Sequence, residues 1–211
     1  MLVALASFAL AAALLVLLPG PDTLVIVRSI VRGGRSRGVA TVLGIQTGLV
    51  VWVTAAVLGL AAVLRASEVG YTALRVVGAG YLIWLGIQSF RSRGGVDVGA
   101  EAGTPVALTG RLDLAGTGFR AGLLSNLFNP KVGVFFVTFL PAFVPSGYSV
   151  TPTLLLFGAL FICLNLAYQL PLVLLATKVT ALFARERVRR RMELITGTVL
   201  VGFGIRLAVQ P

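Results

Sequence analysis

Two charged residues stand deep inside apolar sequence, Asp22 and Lys131, and each adjoins a helix-breaking proline. Asp22 closes the run Pro19-Gly20-Pro21-Asp22, and Lys131 closes Asn126-Leu127-Phe128-Asn129-Pro130-Lys131. An ionised side chain at the centre of a bilayer costs roughly 2.5–3.5 kcal/mol on insertion scales, so two of opposite sign require a partner or a purpose. Interrupted apolar segments at corresponding places in two halves of a chain point to the binding site of a transporter. The chemistry on offer is recognition of a zwitterion, with Asp22 facing an ammonium group and Lys131 facing a carboxylate.

The two breaks suit that task. Pro21 fits the first position of a new helix, and Asn129 followed by Pro130 reads as an N-cap and first position, so each break should expose a half-helix N-terminus. Such ends attract anions. Asp22 supplies its own negative charge to the first, while Lys131, Asn126 and Asn129 make the second a donor-rich, positive end. Gly20, Pro21 and Pro130 shape the unwound backbone beside them. At an effective dielectric of about 20, a cation 4 Å from a carboxylate contributes roughly 4 kcal/mol. Bringing Lys131 up to Asp22 and withdrawing it is therefore enough to switch the carboxylate between its ionised and protonated forms, which would couple proton movement to substrate release. Simpler readings compete: Asp22 caps its own helix, and Lys131 snorkels to an interface or neutralises Asp22 as a structural pair. Asn165, Tyr168 and Gln169 lie further along the chain and either line a polar cavity or bond between helices. Gly44 and Gly48, spaced as small-xxx-small, read as helix packing, and Trp52 and Trp84 as lipid-facing or packing aromatics.

Composition explains why these charges are exceptional. Of 211 residues 57% are hydrophobic and only 12% charged, with a mean hydropathy of +0.98, which is too apolar for a soluble domain. The expected class is an all-α polytopic membrane protein. A net charge of +11 does not indicate nucleic acid, because no basic stretch is interleaved with aromatics and the arginines fall between apolar spans. There is one cysteine, Cys163, and no histidine, which excludes a Cys-x-x-Cys redox pair and leaves a transition metal without its usual ligands. Nothing calls for a metal or another cofactor. The apolar N-terminus carries no Lys or Arg before Arg28, so it lacks the basic start of a cleaved signal peptide and is expected to remain as a membrane helix.

At about 20 apolar residues per crossing, the sequence predicts six spans, over about 2–31 (interrupted at Pro19 to Pro21), 39–64, 71–90, 118–144 (interrupted at Pro130), 151–177 and 192–209. A basic run over 185–191 separates the last two and should meet anionic headgroups. With the N-terminus outside, the inner segments carry Arg28, Arg32, Arg35, Arg37, Arg91, Arg93, Arg111, Arg120, Lys178 and the basic run. The outer ones keep Arg65, Arg75 and Arg206. This asymmetry predicts both termini outside. The chain reads as one transmembrane domain over 1–211, with a first repeat over about 1–90, a glycine-rich cytoplasmic linker over about 91–117 and a second repeat over about 118–211. Three spans per half make the repeats inverted, with helices 1 and 4 broken. Asp22 lies ten residues before Arg32 and Lys131 eleven after Arg120, which puts both roughly 15 Å from the inner interface at 1.5 Å per residue, near the midplane.

The motif Pro19-Gly20-Pro21-Asp22-Thr23-Leu24, followed by Gly33, Gly34, Gly38, Gly44 and Gly48, resembles the opening of the lysine exporter (LysE) family, which includes the RhtB-type homoserine and threonine efflux proteins. Gly78-Ala79-Gly80-Tyr81-Leu82 with Gly86 is similar to its third helix. The stretch from Gly122-Leu123-Leu124-Ser125-Asn126 through Pro130-Lys131, then Phe136, Phe139-Leu140-Pro141 and Phe143, is similar to the start of its second half. The resemblance implies an exporter of amino acids or close derivatives in the bacterial inner membrane, driven by the proton motive force and not an enzyme; a homo-oligomer is compatible with it. An exporter of an ion or other small solute would be expected to place more intramembrane acids or carbonyls. A membrane-embedded enzyme would need a catalytic set that is absent from the sequence.

Overall fold

The computed structural model describes residues 1–66, 68–91, 118–145, 147–175 and 186–209, and these are helical with short breaks. Helix α1 (Leu2–Leu17) ends just before Pro19, and α2 (Pro21–Ala66) starts at Pro21, whose fixed φ suits a first helical position. Within α2 the backbone leaves helical geometry at Gly33 and Gly34, the latter at φ 70°, a left-handed conformation open to glycine. The chain doubles back there. A Cβ on Gly38 would meet the Ile30 side chain at 2.6 Å, a contact across eight residues that a straight helix would hold about 12 Å apart. α2 thus has two arms, residues 21–32 and 35–66, followed by α3 (Glu68–Arg91).

The second half opens with α4 (Gly118–Leu127) and α5 (Pro130–Val134), which runs into a π-helical turn (Phe135–Phe139) and a 3-10 turn (Pro141–Phe143). The bend across residues 128 and 129 is 49°. α6 (Val150–Leu174) and α7 (Glu186–Val209) complete the described chain. The helix expected to begin near residue 192 starts at Glu186 instead, so the basic residues from Arg187 to Arg191 form its first turns. Glu and Arg are good helix formers, and their charge does not interrupt the helix as it interrupts the apolar pattern. The expected linker lies, from residue 92 onward, outside the described residues, as do Lys178 and Arg185.

Breaks aside, all six stretches expected to be helical are helical where described. By length and hydropathy alone two qualify as crossings, Pro21–Gly59 and Val150–Leu174, and a third if the bent pair Gly118–Leu127 and Pro130–Phe143 is one span. The first of these contains the Gly33–Gly34 reversal, so its two arms are not one straight rod. Apolar side chains face outward all round, among them Leu10, Leu58, Val77 and Leu174, while Asp22, Ser125, Asn126, Asn129 and Gln169 are buried. Lipid accommodates that exterior, which in water would be a large exposed apolar surface. The protein is a multi-pass membrane protein by these features.

Packing ties the first half to the second. α2 lies against α4 and α6, α3 against α7, and α1 against α6. Gly44 on the second arm of α2 faces the backbone of Phe119 and Leu123, and Gly122 on α4 faces the backbone of Thr41 and Ile45, so these two helices touch main chain to main chain. Such close approach is what small residues permit between membrane helices, and the packing role expected of Gly44 holds. A phenylalanine core fills the other side: Phe8 of α1 stacks on Phe157 of α6 at 4.6 Å between ring centres, and Phe135, Phe136 and Phe139 of the π-turn pack around Phe161 and Phe203.

Candidate functional site

Each helix break ends one short helix and starts another, leaving carbonyls on one side and amides on the other without intrahelical partners. The two breaks meet, and each supplies what the other lacks. From the start of α2, Asp22 accepts hydrogen bonds from Ser125 Oγ on Oδ1 at 2.7 Å and from Asn126 Nδ2 on Oδ2 at 2.8 Å, both donors in the last turn of α4. From the start of α5, Lys131 Nζ donates to the carbonyls of Leu15 at 3.1 Å and Leu18 at 2.8 Å, at the end of α1. The arrangement is reciprocal: the charged side chain that follows Pro21 or Pro130 clamps the end of the opposite half's first helix. Asp22 also complements the N-terminus of its own helix, and the Lys131 ammonium group complements the C-terminus of α1 that it reaches.

Local sequence builds these ends as expected. Asn129 is the N-cap of α5, its Oδ1 accepting from Lys131 N at 3.1 Å, with Pro130 following. Asn129 and Lys131 also lie beside the Asp22 carboxylate. Gly20 sits against Lys131: a Cβ there would be 3.5 Å from Nζ.

A cavity of about 20 Å³ lies between the breaks, lined by Gly20, Asp22, Asn129, Lys131, Asn165, Tyr168 and Gln169 together with Thr23 and apolar side chains. That volume is near the size of one water molecule, so anything larger requires the walls to part. Seven of the ten expected site residues therefore share one cavity. Pro21, Asn126 and Pro130 do not line it; Asn126 is fully buried, and its amide is spent on Asp22. Asn165, Tyr168 and Gln169 occupy one face of α6 at i, i+3 and i+4. Tyr168 Oη lies 3.5 Å from Thr23 Oγ1, which ties α6 to the start of α2. The carboxylate has about four acceptor positions and accepts two hydrogen bonds from Ser125 and Asn126, so an ammonium group has places to bind.

Four contributors escaped sequence reasoning. Ser125 stands in the quoted motif, but its hydroxyl gave no signal apart from its neighbour Asn126. Gln46 donates through Nε2 to Asn165 Oδ1 at 3.1 Å and Gln169 Oε1 at 3.0 Å; a lone glutamine in an apolar span was the available clue. Trp52 packs on Gly133 and donates to the Asn126 carbonyl at 3.3 Å, so it braces the site. The Leu15 and Leu18 carbonyls are backbone groups that no residue type announces.

Gly48 links the packing to the site. A Cβ at that position would lie 2.6 Å from Asn126 Oδ1 and 3.0 Å from Asn126 Cβ. Gly48→Ala should therefore shift the side chain that holds Asp22, at an overpacking cost of about 1–3 kcal/mol. Thermal unfolding in detergent and transport by the same preparation should both fall. Gly59→Ala, with nothing within 4 Å of the new methyl group, should leave both unchanged.

Residues 13–211 match the family model described as LysE type translocator. The chain belongs to the LysE type translocator family. It is 32% identical to the threonine efflux protein of Escherichia coli (strain K12) over 198 residues, covering 90% of each chain. It is 31% identical to the uncharacterized membrane protein YrhP of Bacillus subtilis (strain 168), over 92% of this chain and 93% of that one. It is 28% identical to the homoserine/homoserine lactone efflux protein of Salmonella typhimurium, over 96% of this chain and 94% of that one. No solved structure matches this LysE-family chain.

Proposed function

We propose that the protein exports a small zwitterionic amino acid, or a close derivative, across the bacterial inner membrane in exchange for protons. The observation that carries this reading is the reciprocal clamp, in which two broken helices bring a buried carboxylate and an ammonium group to one small cavity. Relatives named for threonine efflux and for homoserine/homoserine lactone efflux support the substrate class.

In the proposed cycle Asp22 receives the substrate ammonium group, and Lys131 with Asn129 receives its carboxylate. Each substrate contact displaces or shares a bond that now holds the opposite half, so loading loosens the clamp and lets the walls part. One half then rocks against the other about the site, the substrate leaves, and a proton taken up by Asp22 takes the place of the departed ammonium group on its carboxylate for the return. Six spans in two inverted repeats, with both termini outside and the linker in the cytoplasm, provide the two halves that such rocking needs. Anionic headgroups at the cytoplasmic face would meet the basic start of α7.

Counterflow tests the reading without reference to the driving force. Vesicles containing purified protein and a high internal concentration of one unlabelled amino acid should transiently concentrate that amino acid in labelled form from outside. Failure across a panel of small neutral, basic and lactone-forming amino acids would exclude amino-acid export.

A further inference from the structure

Three amide side chains meet beside the cavity in an arrangement that helix packing does not explain. Gln46, on the second arm of α2, sends a single nitrogen to the carbonyl oxygens of both Asn165 and Gln169, at 3.1 and 3.0 Å. Two amides joined only to hold helices together would exchange a donor and an acceptor each. Here one nitrogen serves two acceptors, and the buried Oε1 of Gln46 has no hydrogen-bond partner among the described residues. The amide nitrogens of Asn165 and Gln169 likewise hydrogen-bond to nothing among the described residues. Gln169 is 2% and Asn165 9% exposed, yet neither amide nitrogen is fully enclosed, so these donors remain accessible. Both line the cavity that holds Asp22 and Lys131. An incompletely paired polar cluster in a water-poor site is a destabilising feature that a ligand can relieve.

We infer that Asn165 and Gln169 select the side chain of the substrate, with Gln46 as the residue that positions them, and that they favour an uncharged side chain bearing a hydroxyl or amide group. The inference rests on the proposed export function and assigns specificity within that site. Among the described residues Asp22 and Lys131 are the only charged ones lining the cavity, and in the proposed cycle both are engaged by the amino and carboxyl groups of the substrate. A basic or acidic side chain would therefore be placed without a counter-ion. An aliphatic side chain would leave the amides unpaired, which is how a hydrogen-bonding site rejects an apolar isostere. A hydroxyl or amide donates and accepts as the cluster does.

Threonine and valine differ by one hydroxyl in place of one methyl group and make the decisive pair. Counterflow by wild-type protein should favour threonine over valine by about tenfold or more, a modest share of what a fully hydrogen-bonding site achieves. Asn165→Leu, Gln169→Leu and Gln46→Leu should each bring that ratio toward one, with threonine counterflow falling several times more than valine counterflow. A structural role would lower both rates together and keep the ratio, which would overturn the assignment. Should the leucine variants not reach the membrane, the wild-type ratio decides: tenfold or more supports the inference, and a ratio near one ends it while leaving amino-acid export standing. Absence of counterflow by every amino acid would remove both.

Discussion

Lys131→Met should abolish transport and strongly destabilise the protein. The ammonium group bonds to two carbonyls at the end of α1, and the residues that carry them, Leu15 and Leu18, are 1% and 4% exposed. Methionine fills a similar volume but offers no donor, so the Leu18 carbonyl loses this partner at about 1–3 kcal/mol and the Leu15 carbonyl, which keeps the Leu18 N–H at 3.3 Å, loses less, reduced by whatever the unfolded chain in a membrane recovers. The expected loss is about 1–4 kcal/mol, read as a fall in thermal unfolding temperature in detergent. Lys131→Arg keeps the charge and donors for the carbonyls, but a larger, flat guanidinium does not fit the place of a compact ammonium group beside Gly20 and the small cavity; stability should largely return while transport does not. Full transport by either variant would contradict the role given to Lys131. Replacing Asp22 and Lys131 together by apolar residues should also abolish transport, and because it takes these partners from Ser125 and Asn126 as well as from the Leu15 and Leu18 carbonyls, it should destabilise at least as much as Lys131→Met.

Much of the site was legible because membranes make polar residues conspicuous. Asp22 and Lys131 stood out against apolar sequence, and Asn129-Pro130 announced a helix start that the N-cap bond at 3.1 Å bears out. Asn165, Tyr168 and Gln169 were left between cavity lining and interhelical bonding, and they do both. What sequence did not reveal was who pairs with whom. Opposite charges suggested that the two breaks meet, and they do, but the hydrogen bonds that join them run from Asp22 and Lys131 to the ends of α4 and α1. Helix termini carry strong unpaired groups that no residue letter records. Helix boundaries were misread where charge was taken as a stop: α7 begins six residues before its apolar part because arginine and glutamate sustain a helix as well as leucine does. Gly48 was read as packing alone, and only the fold places Asn126 against it.

Asp22→Asn isolates the central claim, that one carboxylate both receives the substrate and carries the proton. Asparagine keeps the size of the side chain and an oxygen to accept a hydrogen bond, and the Ser125 hydroxyl can turn to accept from the new amide, so the clamp to α4 should persist. What disappears is the charge and its titration. Exchange of labelled for unlabelled substrate, which needs no net proton movement, should survive at a reduced rate, while uphill accumulation driven by a pH gradient should vanish. The deciding measurement compares wild-type and Asp22→Asn protein in vesicles under the same imposed pH gradient. Accumulation of labelled amino acid by the wild type and none by Asp22→Asn, with exchange retained, is the result expected; equal accumulation by both would contradict the assignment of Asp22 as the coupling residue.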